Sequence, residues 1–293
     1  MSRPAVITEP AALRARLDAW RRAGQGIGFA PTMGNLHEGH LDLVRAAAGR
    51  TDRVVVSIFV NPLQFGPSED FAAYPRTLEA DLAHLAKVPC DLVFAPGEAA
   101  MYPRGRAEAT RVEVPGISDI LCGATRPGHF TGVATVVARL FNLVQPRLAV
   151  FGEKDRQQLA VIRRMTEDLG FPIEILGVPT RREADGLALS SRNRYLTPDE
   201  RAIAPRLYAA LQGAAAALEA GRRDFVAIQQ AGMENIGSAG LVPEYFEVRR
   251  RDEMETPTAS DTRLVILAAA RLGRARLIDN IAVDLHGAGN API

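Results

Sequence analysis

The chain has 293 residues, 47% hydrophobic and 24% charged, with a formal net charge of +1 at neutral pH. That length fills one large or two medium domains, and the balance excludes a disordered or fibrous chain. Basic and acidic residues are interspersed, so no long-range field recruits nucleic acid or an anionic membrane, and any phosphate binding must be local. The stretch from Met1 to Leu17 has no apolar signal core and no segment reaches membrane-span length; Cys90 and Cys122 form no metal-binding or redox spacing. A soluble protein of a reducing cytoplasm is expected.

Thr8-Glu9-Pro10 followed by Leu13, Leu17 and Trp20 predicts an N-capped helix that stops at Gly24. The glycines at 24, 26 and 28 precede a strand instead of following one, so they predict a turn and not a dinucleotide fingerprint. A strand over 26–30, a helix over 37–48 and a β-branched strand over 53–60 make a βαβ unit.

Between the first strand and its helix stands Pro-Thr-Met-Gly-Asn-Leu-His-Glu-Gly-His, residues 31–40. The apolar positions Leu41, Leu43, Val44, Ala47 and Ala48 have helical spacing, which puts His37 at the helix mouth and His40 in the first turn. A helix start offers backbone N–H groups and the positive end of the dipole, while Gly34 and Gly39 leave room for a phosphate. This suits a triphosphate losing pyrophosphate. A zincin helix needs histidines four apart, and these are three apart; two plain structural histidines remain the other reading.

Residues 61–67 leave the next strand as a turn-rich loop where an open α/β sheet places ligand contacts, which makes Asn61 and Gln64 candidates; the other reading is an Asn that shapes a turn before Pro62. A helix over 77–87, a strand over 91–94, an irregular connection over 96–110 and a short strand over 111–114 follow. Arg126-Pro127-Gly128-His129 opens a helix through Val144, a second, weaker anion site. A strand over 148–151 runs into Gly152-Glu153-Lys154-Asp155, which is no Walker A loop; taken singly, Lys154 reads as a surface lysine. A helix over 155–169 and a strand over 173–178 complete the alternation.

The loop over 185–196 gathers Ser190, Ser191, Arg192, Asn193 and Arg194. Thr197-Pro198-Asp199-Glu200 is a capping box that opens one long Ala/Leu-rich helix. Strands near 245–249, 264–270 and 276–279 predict a smaller α+β unit, and His286 to Ile293 a loose tail.

With these segments together, the chain resembles the pantoate–β-alanine ligase (pantothenate synthetase) family from about Thr8 to Asn280. Five motifs stand in the family's order: residues 31–40, Phe-Val-Asn-Pro-Leu-Gln-Phe-Gly-Pro (59–67), Arg-Pro-Gly-His-Phe (126–130), Phe-Gly-Glu-Lys-Asp-Arg-Gln-Gln-Leu (151–159) and Asp-Gly-Leu-Ala-Leu-Ser-Ser-Arg-Asn (185–193). The resemblance implies an HxGH nucleotidyl-transferring protein with a Rossmann-like parallel sheet, helices on both faces, and a smaller C-terminal α+β lid domain. The expected domains are 1–180 and 181–293, and the expected assembly a homodimer. It implies ATP and Mg²⁺ consumed in joining pantoate to β-alanine through a pantoyl adenylate. His37 and His40 would then hold the phosphates and stabilise the transferring α-phosphoryl group, with Lys154, Ser190, Ser191 and Arg192 on the phosphates. Gly152 and Asp155 would lie near the ribose. Gln64, Gln158 and Asn61 would bind pantoate, Met33 would lie against both substrates, and Arg126 and His129 would belong to a neighbouring flexible segment. The metal ligands stay unassigned. Asn35, Leu63 and Cys122 depart from the common Ala, Thr and Glu. The rivals are another HxGH enzyme such as a cytidylyltransferase, and a regulatory nucleotide-binding module without turnover.

Overall fold

The computed structural model describes residues 3–66 and 71–285. The expected tail at 286–293, and Pro67 at the end of the second motif, lie outside the described residues. The chain divides into two compact units, Met1–Glu153 with Gln157–Pro179, and Lys154–Arg156 with Thr180–Ile293.

The first unit carries β1 (Ala5–Ile7), α1 (Pro10–Arg22), β2 (Ile27–Thr32), α2 (Glu38–Ala48), β3 (Arg53–Ile58), α3 (Leu78–Leu85), β4 (Leu92–Phe94), α4 (Glu98–Met101), α5 (Cys122–Thr125), α6 (His129–Val144), β5 (Leu148–Gly152), α7 (Arg156–Asp168, whose first residue groups with the second unit) and β6 (Glu174–Val178). All six strands are parallel, in the order β1-β4-β3-β2-β5-β6. The chain winds outward from β2 through β3 to β4, then returns to place β5 on the other side of β2 and β6 beyond it. That reversal makes the carboxyl ends of β2 and β5 the switch point, where open α/β sheets bind ligands.

Alternation along the strands explains the layers. Ala30, Val54, Val56, Val93, Leu148 and Val150 pack with Leu41, Val44 and Ala47 of α2 and with Leu82 and Leu85 of α3. Phe29, Val55, Phe94 and Phe151 are equally buried, and the Phe151 ring lies 6.4 Å edge-on from Phe141 of α6. Each fully buried side chain of this kind contributes about 1.5–3 kcal/mol, so a strand such as Val54-Val55-Val56 is stable only with both faces covered.

Four local expectations are corrected. The residue before α1 is Glu9, extended and without a side-chain cap; Pro10 takes the first helical position, and Thr8 stands one residue too early to cap the helix. β1 was not expected: three residues give no periodicity to read, and parallel pairing to β4 alone holds it. Residues 96–110 contain the short α4. Residues 111–114 form no strand; Val112 N–H is taken by Thr135 Oγ1 of α6 at 2.9 Å, so a side chain replaces the ladder.

The second unit carries α8 (Pro198–Ile203), α9 (Arg206–Glu219), α10 (Phe225–Ser238), β7 (Val242–Arg250), β8 (Arg263–Leu272) and β9 (Ala275–Asp284), with the strands antiparallel in chain order. The capping box forms as expected, with Thr197 N–H donating to Glu200 Oε2 at 2.8 Å and Glu200 N–H to Thr197 Oγ1 at 3.3 Å. The single long helix does not: Pro205 divides it into α8 and α9, since proline lacks the N–H and crowds the preceding turn. Leu207, Leu211 and Leu218 of α9, with Ile228 and Ile236 of α10, cover Phe246, Val248, Leu264, Ile266, Ala268 and Ala270 of the sheet.

Candidate functional site

The turn after β2 is held by its own backbone donors. Gly34 N–H goes to Thr32 Oγ1 at 3.2 Å, Asn35 N–H to Asp81 Oδ2 at 3.0 Å, Leu36 N–H to Asp81 Oδ1 at 2.7 Å and His37 N–H to His40 Nδ1 at 3.3 Å. Gly34 and Asn35 both take positive φ, +79° and +54°, a conformation that glycine adopts freely and asparagine tolerates. A Cβ on Gly34 would stand 2.9 Å from Asp81 Oδ2, so the glycine also permits the approach. These four N–H groups are thus committed to Thr32, Asp81 and His40, and the helix start that follows adds its dipole to the half-buried imidazoles. The His37 and His40 rings lie with centroids 4.1 Å apart, tilted by 42°, a pair at the helix mouth as their spacing predicts.

A second cluster follows β3. Asn61, Gln64 and Met33 come together: Asn61 Nδ2 donates to Gln64 Oε1 at 3.1 Å and to the Gly132 carbonyl at 3.0 Å, and Gln64 Nε2 reaches Met33 Sδ at 3.1 Å. Pro62–Gln64 is one turn of 3₁₀ helix, with the Asn61 side chain accepting from Leu63 N–H at 3.3 Å. Asn61 therefore shapes its turn and also orients Gln64. Arg126 and His129 grip the Gln64 carbonyl, His129 Nδ1 at 2.8 Å and Arg126 Nη2 at 3.4 Å, and stand 3.0 Å from each other.

Gly152 closes β5, and Glu153–Asp155 forms a 3₁₀ turn. Gln158 is half-buried on α7, and its neighbour Gln157 is the fully engaged residue: its side chain accepts Cys122 N–H at 3.1 Å and donates to the Ile117 and Ile120 carbonyls at 2.8 and 2.7 Å.

Within the second unit, Lys154, Ser190 and Asn193 line a cavity of about 10 Å³, with Leu187, Tyr208 and Asp279 around it, room for one water. Lys154 Nζ lies 4.0 Å from Asp155 Oδ2, and its carbonyl accepts Asn280 Nδ2 at 3.0 Å. Ser190 Oγ accepts Arg192 N–H at 3.2 Å and starts the 3₁₀ turn Ser191–Tyr195. Arg182 anchors the loop, donating to Asp279 at 2.6 and 3.0 Å and stacking 3.5 Å over the Tyr208 ring.

Asp81, Tyr102 and Gln157 were not singled out from the sequence. Each acts on groups 35 to 46 residues away, and no local pattern marks such a partner. Among the described residues no group of three or more His, Cys, Asp or Glu is placed to hold a metal ion, and no helix is long and apolar enough to cross a membrane.

A parallel sheet wound both ways from β2, with imidazole-bearing and amide-bearing turns at the carboxyl ends of β2 and β3, defines a doubly wound α/β protein of the nucleotide-binding kind. A family model described as pantoate-beta-alanine ligase matches residues 5–282. The pantothenate synthetase of Thioalkalivibrio sulfidiphilus is 61% identical over 279 residues, 95% of this chain and 98% of that protein. That of Ectopseudomonas mendocina is 56% identical over 275 residues, 94% and 96% of the two chains. Among solved structures, pantothenate synthetase from Thermus thermophilus matches with a TM-score of 0.88 at 49% identity, covering 94% of this chain and 98% of that one. Pantoate-beta-alanine ligase from Francisella tularensis, complexed with beta-gamma ATP and beta-alanine, matches with a TM-score of 0.79 at 34% identity over 95% and 97%. The chain belongs to the pantoate–β-alanine ligase family.

Proposed function

We propose that this site activates pantoate with ATP, giving an enzyme-bound pantoyl adenylate and pyrophosphate, and that β-alanine then takes the pantoyl group to give pantothenate and AMP. The ligase activity follows from family membership over nearly the whole chain, which sets aside the cytidylyltransferase reading. The observation that carries the adenylate route is the His37–His40 pair at the mouth of α2, beside the switch point of the sheet.

Pantoate is already a carboxylate at neutral pH, so its oxygen attacks the α-phosphorus without a general base. The bond to pyrophosphate breaks as the new P–O bond forms. Charge is the obstacle, and His37, His40, Lys154, Ser190, Ser191 and Arg192 are the groups assigned to it, with Gly152 and Asp155 beside the ribose. Gln64, Gln158, Met33 and Asn61 are assigned to pantoate, because neutral amides bond its hydroxyls without competing for its carboxylate. In the second half-reaction the neutral amine of β-alanine attacks the acyl carbon, AMP leaves, and the amine loses a proton.

Mg²⁺ belongs to this reading as an ion that would enter with the nucleotide; its protein ligands stay unassigned, and among the described residues no group of three His, Cys, Asp or Glu is placed to hold it. When bound it neutralises charge on the departing pyrophosphate. The reading also takes residues 1–180 as the ATP and pantoate domain, 181–293 as the lid, the active form as a homodimer, and the compartment as a cytoplasm in which the buried thiols of Cys90 and Cys122 stay reduced.

The test is pantoate-dependent exchange of labelled pyrophosphate into ATP, with Mg²⁺ present and β-alanine left out. Exchange is expected, and adding β-alanine should then release AMP. ATP binding without exchange would remove the adenylate route.

A further inference from the structure

Tyr102 follows α4 directly, is 4% exposed, and its hydroxyl lies 2.7 Å from Asn61 Oδ1. Backbone groups fix the chemistry of that contact. The Leu63 N–H, which only donates, faces Asn61 Oδ1; the Gly132 carbonyl, which only accepts, faces Nδ2. Asn61 therefore has one orientation, and a phenol facing its oxygen must donate. Burial pushes the Tyr102 pKa up, so the proton stays on the phenol. The same logic reaches Gln64. With Asn61 Nδ2 against its Oε1, the Gln64 amide is held oxygen inward, and its NH₂ turns to the Met33 sulfur. A thioether is a weak acceptor, so a ligand oxygen displaces it at little cost.

We infer that Tyr102 is a positioning residue for pantoate: by donating to Asn61 Oδ1 it helps the backbone partners hold Asn61, and through Asn61 Nδ2 the Gln64 amide, so that the site offers the substrate an N–H donor. The inference rests on Gln64 binding pantoate, as proposed above. A reversed amide would present an acceptor, and a pantoate hydroxyl would then have to turn its own proton toward Gln64 instead of offering it a lone pair. The relay thus favours ligands rich in acceptors, as a dihydroxy acid is.

Tyr102→Phe keeps the ring and removes the donor. The KM for pantoate should rise about three- to tenfold, the span of one ordinary hydrogen bond. The KM values for ATP and β-alanine should stay within about twofold, with kcat falling less than the pantoate KM rises. Asn61→Asp, which donates to neither Gln64 nor Gly132, should shift the pantoate KM further, and adding Tyr102→Phe to it should change little more. An unchanged pantoate KM in Tyr102→Phe, beside a raised one in Gln64→Ala, would overturn the relay and leave Gln64 in the pantoate site. No change in either variant would remove Gln64 from that site and the relay with it. Equal losses for all three substrates with a lowered Tm would make Tyr102 a packing residue and also overturn the relay.

Discussion

The carboxylate of Asp81 accepts the N–H of Leu36 at 2.7 Å across 45 residues of sequence, and with its second oxygen it takes Asn35 N–H as well. Asp81 is 1% exposed and is itself steadied by Thr77 Oγ1 at 3.1 Å, so α3 clamps the turn that carries His37. Asp81→Asn replaces one acceptor by an NH₂ that faces a donor, and leaving a buried donor unsatisfied costs about 1–3 kcal/mol. Thermal unfolding should fall accordingly, and kcat should drop as the imidazoles lose their setting. A variant with unchanged Tm and kcat would mean the turn holds itself.

His40 does two things: its Nδ1 accepts the His37 N–H, and its ring is assigned to the phosphates. His40→Ala should lower kcat about a hundred- to a thousandfold, the cost of one oriented transition-state contact, about 2.7–4 kcal/mol. His40→Asn separates the roles, because an amide oxygen can replace the acceptor but not the imidazole. Single-turnover adenylate formation should stay slow in both variants. Recovery in His40→Asn would make His40 a residue of the turn only.

Much of this arrangement was legible where chemistry repeats locally. The run Val54-Val55-Val56 announces a strand buried on both faces, and the three-residue spacing of His37 and His40 announces their pairing at a helix mouth. The clamp and the relay were not legible, since Asp81 and Tyr102 serve partners placed by the fold and carry no signature of their own. Pro205 was a readable signal that the Ala/Leu pattern outweighed. Residues 111–114 alternate like a strand, yet their N–H at Val112 finds a threonine on α6 before it finds a sheet.

Gly132 of α6 touches the turn that presents Gln64. A Cβ there would stand 2.2 Å from Leu63 O, 2.4 Å from Leu63 C and 2.6 Å from Gln64 N, all backbone atoms. The clash has no flexible side chain to absorb it, so Gly132→Ala must move residues 62–64, at about 1–3 kcal/mol for overpacking. The expected outcome is a lower Tm together with a raised pantoate KM. A raised KM for ATP alone would contradict it.

Cys90 is buried just ahead of β4, and burial pushes its thiol pKa up to about 12, from an ordinary value of 9.0. Between those values the folded chain holds a proton that the unfolded chain has released. This contribution to stability is therefore intact below about pH 9 and is lost as pH rises toward 12. Unfolding free energy should decline over that window in the parent and decline less in Cys90→Ala. At pH 8 a thiol reagent should label Cys90 only as fast as the native state opens.

Arg182 and Asp279 form a two-pronged ion pair that ties the loop carrying Ser190, Ser191 and Arg192 to β9, with side chains 19% and 3% exposed. Arg182 also donates to the Gly186 carbonyl at 3.0 Å and sits over the Tyr208 ring, 3.5 Å from its centroid, so its planar fork satisfies three partners at once. Removing one member of a buried pair strands the other charge and costs about 3–5 kcal/mol. Arg182→Ala should therefore open this loop, seen as faster amide exchange at residues 186–193 and easier proteolytic nicking there. Arg182→Lys keeps the charge but loses the fork and its place over the Tyr208 ring, and it should recover only part of the protection. Because the loop bears the groups assigned to the phosphates, ATP affinity should fall in the same order, alanine below lysine below arginine. Full protection in Arg182→Ala would show that the capping box and the Ser190 turn hold the loop without the pair.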